Sequence, residues 1–372
     1  MDFSALQQFL DQQIEKGVPG CELAVCRDHQ ILFHGFAGHS DYEKTKPVTA
    51  ENRYLLYSCS KPMTATAAMI CMERGLFRLE DPVSDYLPAY ENAFLLCDGK
   101  HCKPASPITI KHLLTMTAGL DYQLDKPAVK RLLEHTEHHA TTRQLADALI
   151  EEPLNFEPGS RFLYSLCLDV MGALIEVASG CTFSEFLRRN IWEPLGMKNT
   201  YFYRCDRQDD LMAAQYRYDA NKKTVVPWSV SYPLITDPEF ESGGAGIVST
   251  VSDYLRFADA LACGDSILSP DYIDLMRTPH LSSYRPEDKF GCTGGPDYGY
   301  GLGVRTRIRS DHGVPSSIGE FGWDGAAGAD VLIDPEHRLS FFYAQHVLNW
   351  PALQGATHLQ IRDLLYPALE LV

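Results

Sequence analysis

Strand-forming segments stand at both ends of this chain and helical ones fill its middle. That order constrains the fold more than any other feature. Residues 21–38, CELAVCRDHQILFHGFAG, are two β-rich runs broken by the polar Arg27-Asp28-His29-Gln30, a hairpin signal that follows an N-terminal helix. Strand character returns at 247–250, ahead of a helix near 253–263, and again at 298–305, 329–333 and 340–345. A last segment, 360–371, has helical spacing. Segments 108–116, 141–152, 166–179 and 183–192 read as helices. Strands at both ends with helices between them predict an α/β (α+β) fold: an antiparallel sheet flanked by helices, with an inserted mainly helical domain. The expected division is a discontinuous α/β domain, 1–72 with 240–372, and a helical domain, 73–239, with the active site between them. A length of 372 suits two interlocked units.

Charge and cysteine content narrow the function classes. With 33 Lys+Arg against 49 Asp+Glu the net charge is −16, which argues against a nucleic-acid or anionic-membrane partner. The eleven cysteines are odd in number and scattered, unlike a small disulfide scaffold. The first twenty residues lack a basic n-region and an apolar h-region, and no apolar run approaches membrane-spanning length. A cytoplasmic enzyme is therefore expected. Cys97-Asp98-Gly99-Lys100-His101-Cys102 has no second Cys/His pair at zinc spacing, and His135, His138 and His139 fit a solvated helix or lid face, so no metal is expected. The glycine- and tyrosine-containing stretch 291–303 reads as a loop entering a strand, with no nucleotide-binding pattern.

Chemistry concentrates first at Ser58-Cys59-Ser60-Lys61, an S-x-x-K where a strand gives way to the helix KPMTATAAMICMERG. Residues three apart share a helix face, so Lys61 can set its amine beside the Ser58 hydroxyl, which needs a base to act as a nucleophile. A helix N-terminus adds N–H groups suited to an oxyanion. The tetrapeptide alone is weak, because about one is expected by chance in a chain this long. Two further segments give it company: Pro158-Gly159-Ser160-Arg161-Phe162-Leu163-Tyr164-Ser165-Leu166, and Gly319-Glu320-Phe321-Gly322-Trp323-Asp324-Gly325-Ala326-Ala327-Gly328.

With SCSKPMTATAAM these segments resemble the class C β-lactamase-like serine hydrolases, which include penicillin-binding proteins and family VIII carboxylesterases. The likeness continues through LEDPVSDYLPAY, ITIKHLLTMTAGL, WEPLGMKNTYF and GGAGIVSTVSDYLRFA. The resemblance implies that Ser58 is acylated, that Lys61 is its immediate proton partner, and that Tyr164 is the family's catalytic tyrosine. A phenol beside an ammonium can shuttle protons to and from a leaving group. It further implies an oxyanion hole from the N–H groups of Ser58 and Ala326, with Gly325 letting the third-motif strand approach closely. No cofactor is needed, and the partner is a small-molecule acyl ester or amide.

Departures from the family pattern sharpen the substrate expectation. The β-lactamases of this class carry Y-x-N and K-T-G where this chain has Tyr164-Ser165-Leu166 and Trp323-Asp324-Gly325. Leu166 cannot make the hydrogen bonds of an asparagine amide. Trp323 replaces a cation suited to a substrate carboxylate, and Asp324 either extends the chain's negative bias into the site or points away from the pocket. Tyr122 is read as an acyl-pocket wall or as packing, and Cys59 as a small buried residue. Together these point to a carboxylesterase working through an acyl-enzyme on small acyl esters. A β-lactamase, a D-aminopeptidase or transpeptidase, or an acyltransferase on the same fold are the alternatives. A non-catalytic ligand-binding homologue is the reading from another class.

Overall fold

A computed structural model describes residues 1–204, 209–230, 239–281, 297–311, 313–351 and 357–371. Cys205, Cys292 and the first half of the 291–303 stretch lie outside the described residues. Helix α1 (Ser4–Lys16) leads into the hairpin β1 (Gly20–Arg27) and β2 (Gln30–Gly38). Strand β3 (Arg53–Leu55) runs through a 3-10 turn, Tyr57–Cys59, into α2 (Ser60–Glu73). A small hairpin, β4 (Leu95–Cys97) and β5 (Lys100–Cys102), precedes α3 (Ile110–Leu114), α4 (Pro127–His135), α5 (Thr142–Leu149), α6 (Cys167–Ser179) and α7 (Phe183–Leu187). Strands β6 (Tyr201–Phe202), β7 (Tyr216–Asp219), β8 (Thr224–Pro227) and β9 (Ile247–Thr250) come next, followed by α8 (Val251–Cys263) and α9 (Pro270–Arg277). The chain closes with β10 (Tyr298–Tyr300), β11 (Arg305–Arg307), β12 (Phe321–Asp324), β13 (Asp330–Asp334), β14 (Leu339–Gln345), β15 (Val347–Leu348) and α10 (His358–Ala368).

The two ends meet in one seven-stranded antiparallel sheet, ordered β10-β11-β12-β13-β14-β1-β2. Strand β1 lies between β14 and β2, with Cys21 opposite Gln345 and Arg27 opposite Leu339. The β1–β2 turn places Asp28 and His29 at φ 50 and 63°, the two left-handed positions of a type I′ loop, which an aspartate tolerates. Successive side chains alternate faces. Thus Leu23, Val25, Phe341 and Tyr343 pack into a core with Leu6, Phe9, Ile361 and Leu365 of α1 and α10. Ala24, Cys26, Phe342 and Ala344 enter the main core with Tyr254 and Phe257 of α8. Helices on both faces explain why the interior of β1 is continuously apolar or buried rather than alternating.

The middle of the chain is helical, as expected. Helix α2 is buried along every face from Ser60 to Cys71, and its alanines and methionines suit a helix with no solvent side. Strand β3 pairs with β9, which also pairs with β6, so the turn before Ser58 hangs on a second small sheet. Two expectations need correction. Segment 298–305 is not one strand: the chain turns where Gly301 N–H donates to Val304 O and Gly303 adopts φ +76, separating β10 from β11. Segment 183–192 is α7 plus one π-helical turn over Arg188–Trp192. Helix α4 ends at His135, so His138 and His139 stand in the following exposed turn. No single described helix is long and apolar enough to cross a membrane.

Candidate active site

Ser58 sits on a strained turn. Tyr57 has φ +48°, a left-handed conformation that costs a bulky residue energy and persists only when surroundings over-determine it. Those surroundings are specific. Leu56 N–H donates to Ile247 O at 2.9 Å, and Tyr57 OH donates to Gln215 Oε1 at 2.7 Å. Tyr254 OH donates to Cys59 O at 2.7 Å, and the Cys59 thiol to Trp323 O at 3.5 Å. Cys59 is fully buried, and burial pushes its thiol well above the ordinary range. It packs; it does not line a pocket.

The turn and α2 bring Ser58 and Lys61 together, and the segment before α6 brings Tyr164 to them. Tyr164 OH donates to Ser58 Oγ at 2.7 Å, and Lys61 Nζ donates to the same oxygen at 3.2 Å. Lys61 is wholly buried. Its ammonium also donates to Gly244 O at 2.7 Å and to Tyr122 OH at 3.0 Å, so three acceptors meet its three N–H groups. Tyr122, read from the sequence as wall or packing, is bonded to Lys61 and stacked on Tyr164 with ring centroids 5.4 Å apart. Trp323 also stacks on Tyr164 at 5.6 Å, and its Nε1–H donates to the Tyr164 oxygen at 3.2 Å.

Strand β12 delivers the third motif close to the turn. A Cβ on Gly325 would fall 2.4 Å from Leu56 O, so only glycine fits. Beyond it Gly325 N–H donates to Ala329 O and Val347 N–H to Ala327 O, while Ala326 is exposed. Two sequence-derived pocket residues lie elsewhere. Leu166 is 1% exposed and packs in the main core, because it stands at the foot of α6, whose residues turn inward. Asp324 does not carry a bare negative charge to the site. Its carboxylate is buried 3.2 Å from Arg305 Nη1, in an ionic cluster where Arg305 also meets Asp330 at 3.0 Å.

Two residues in the site had no assigned role in the sequence. Gly244 supplies the carbonyl for Lys61, and Asp169 braces Gly244. Asp169 Oδ1 accepts from Ser242 Oγ at 2.5 Å and from Gly244 N at 3.1 Å. A Cβ on Gly244 would meet Asp169 Oδ2 at 2.4 Å, and that buried oxygen has no hydrogen-bond partner. Burial holds the Asp169 carboxyl above its usual range, with the Lys61 charge pulling it back. The signal was present as an aspartate five residues after Tyr164 and a Gly243-Gly244-Ala245-Gly246 run ahead of β9. Nothing in their spacing alone joins them.

The chain is similar to known proteins along nearly its whole length. A family model described as Beta-lactamase matches residues 5–365. Esterase EstB of Burkholderia gladioli is 28% identical over 391 residues, covering 97% of this chain and 94% of the relative. Lovastatin esterase of Penicillium rubens is 28% identical, with 79% of each covered. Among solved structures, EstCE1, a hydrolase with promiscuous acyltransferase activity, superposes with a TM-score of 0.82 at 30% identity over 98% of both chains.

Proposed function

The chain belongs to the beta-lactamase family and is a serine hydrolase of the esterase and acyltransferase kind on that fold, and from this premise we propose that it is a carboxylesterase for small neutral acyl esters. The observation that carries the reading is the Ser58 hydroxyl held between Tyr164 and Lys61 at 2.7 and 3.2 Å. In the proposed cycle Ser58 attacks the ester carbonyl. The N–H groups of Ser58 and Ala326 bind the tetrahedral oxyanion. Lys61, met by three acceptors, keeps its charge and holds Tyr164 ready. Tyr164, reacting as the phenolate beside the Lys61 ammonium, takes the Ser58 proton and returns it to the departing alcohol. Water then releases the acyl group from Ser58.

Pocket chemistry supports esters over β-lactams. Trp323 stands where the β-lactamase pattern has a lysine, and Asp324 is neutralised by Arg305. No cation of the third motif is left for a substrate carboxylate, and Leu166 offers no amide. Hydrolysis of p-nitrophenyl acetate and butyrate should outpace that of nitrocefin; the reverse order would overturn the reading. Ser58→Ala should abolish both turnover and covalent labelling by a fluorophosphonate probe. Acyl transfer is a second reading, favoured by relatives named as acyltransferases, such as calJ of Penicillium decumbens at 27% identity. Adding a short alcohol or amine to the esterase assay separates the two, since a transferase makes the new ester or amide at the expense of the free acid.

Free cysteines throughout the described residues support a reducing, cytoplasmic location. The catalytic lobes are read as 1–72 with 240–372 and 73–239, because Ser58 and Trp323 come from the first while Tyr122 and Tyr164 come from the second.

A further inference from the structure

The β4–β5 hairpin takes no part in the chemistry above, yet it places two cysteines together. Its turn residues Asp98 and Gly99 have φ 50 and 74°, the paired left-handed positions of a tight two-residue loop, and this fixes the register. Leu95 stands opposite Cys102, and Cys97 opposite Lys100. Directly opposed residues share a face, so Cys97 and Cys102 project from the same face one diagonal step apart. The Cys102 thiol donates to Lys100 O at 3.7 Å, and its nearness holds the Cys97 thiol above its ordinary range. Cys97 is the exposed cysteine among those described, and Cys102 is half-buried, whereas Cys21, Cys26, Cys59, Cys71 and Cys167 are buried.

The hairpin itself is slight. Two strands of three residues, mostly exposed, are marginal without a staple. Its ends are tied down: Leu154 N–H donates to Phe94 O at 2.8 Å, and Ala105 N–H to Glu157 Oε2 at 3.0 Å. A link between the two strands would complete the tether.

We propose that Cys97 and Cys102 form a redox-active dithiol that closes to a cross-strand disulfide when the protein meets a peroxide. Cys97, the more accessible sulfur, attacks hydrogen peroxide; the O–O bond breaks, water leaves, and Cys97 becomes a sulfenic acid. The Cys102 sulfur then attacks that sulfur, the S–O bond breaks, and a second water leaves. Two thiols lose two electrons and two protons, and one peroxide becomes two waters. A thiol reductant reverses the step by exchange. This inference is independent of the esterase reading, and its test does not use activity.

Reduced full-length protein is treated with hydrogen peroxide, alkylated, and digested with trypsin. Cleavage after Lys100 falls between the two cysteines. The expected result is a mass loss of about 2 Da in the intact protein, with the Cys97 and Cys102 peptides joined until a reductant separates them. The joined species should vanish in Cys97→Ser and in Cys102→Ser, each checked for an unchanged circular dichroism spectrum. Hydrogen exchange across Leu95–Cys102 should slow on oxidation. The proposal is overturned if both thiols remain alkylatable, if Cys97 stops at a sulfinic or sulfonic acid with Cys102 still free, or if either cysteine links to a different one.

Discussion

Tyr164 is held from several directions beside Ser58: its oxygen bonds both Ser58 and Trp323, and its ring stacks on Tyr122 and Trp323. Tyr164→Phe keeps the stack and removes the proposed proton carrier, so kcat should fall by roughly 10²–10⁴ with a near-normal melting temperature. Trp323→Phe removes one hydrogen bond to the Tyr164 oxygen and should cost roughly tenfold in kcat/KM, the worth of one such bond. Asp169→Asn keeps a carbonyl oxygen for Ser242 and Gly244 but deletes the negative charge near Lys61. Losing that charge weakens the electrostatic support of the Lys61 ammonium, so kcat should fall, KM should hold, and the pH–rate profile should move. Unchanged profiles would reduce Asp169 to a structural brace. The grouping of Ser58, Lys61 and Tyr164 was legible in the sequence because motif spacing and order carry it. Asp169 and Gly244 were not, since their link is a contact between segments some 75 residues apart.

At the scale of elements, glycine and burial decide what is tolerated. Gly325→Ala would drive β12 away from the turn that holds Ser58, because its Cβ would meet Leu56 O at 2.4 Å. A loss of about 1–3 kcal/mol is expected from such overpacking, with activity falling further than the melting temperature alone implies. Glu176, near the end of α6, accepts from Phe183 N–H at the start of α7, and burial raises its carboxyl to about 7. The folded state thus holds this proton more tightly than the unfolded chain does. Its contribution to stability is complete below the ordinary glutamate range and is lost as pH rises through about 7. Glu176→Gln should flatten urea-derived stability between pH 5 and 8 by on the order of 1 kcal/mol, allowing for partial exposure. The helices and the first hairpin were readable because periodicity and turn residues act locally. Strand β12 was implied by the family resemblance and not by its own pattern: Phe321-Gly322-Trp323-Asp324 has no clean alternation, and it is buried throughout because it lies inside the sheet.

The whole molecule is held by a sheet whose deepest part is ionic. Arg305 and Arg362, both fully buried or nearly so, converge on Asp330, which the two guanidinium groups hold well below the usual carboxylate range. Arg362→Met leaves that carboxylate without one partner and should cost about 3–5 kcal/mol in equilibrium unfolding. Because the folded carboxyl is depressed, its contribution is present above the unfolded aspartate range and fades only in strong acid. None of this pairing is evident from composition: a net charge of −16 describes the surface and says nothing of two arginines sealed beneath the third motif. The location of β1 between β14 and β2 has one more effect, on how the enzyme comes into being. During synthesis the N-terminal hairpin leaves the ribosome more than 300 residues before its partner strand. Ser58 and Lys61 likewise emerge long before Gly244 and Trp323. Until the final strands arrive, a nascent chain has Ser58, Lys61 and Tyr164 without the Trp323 that packs on them, and an open strand edge that invites pairing with neighbours. Such a protein switches on at release rather than gradually, and its C-terminal truncations should aggregate rather than work slowly.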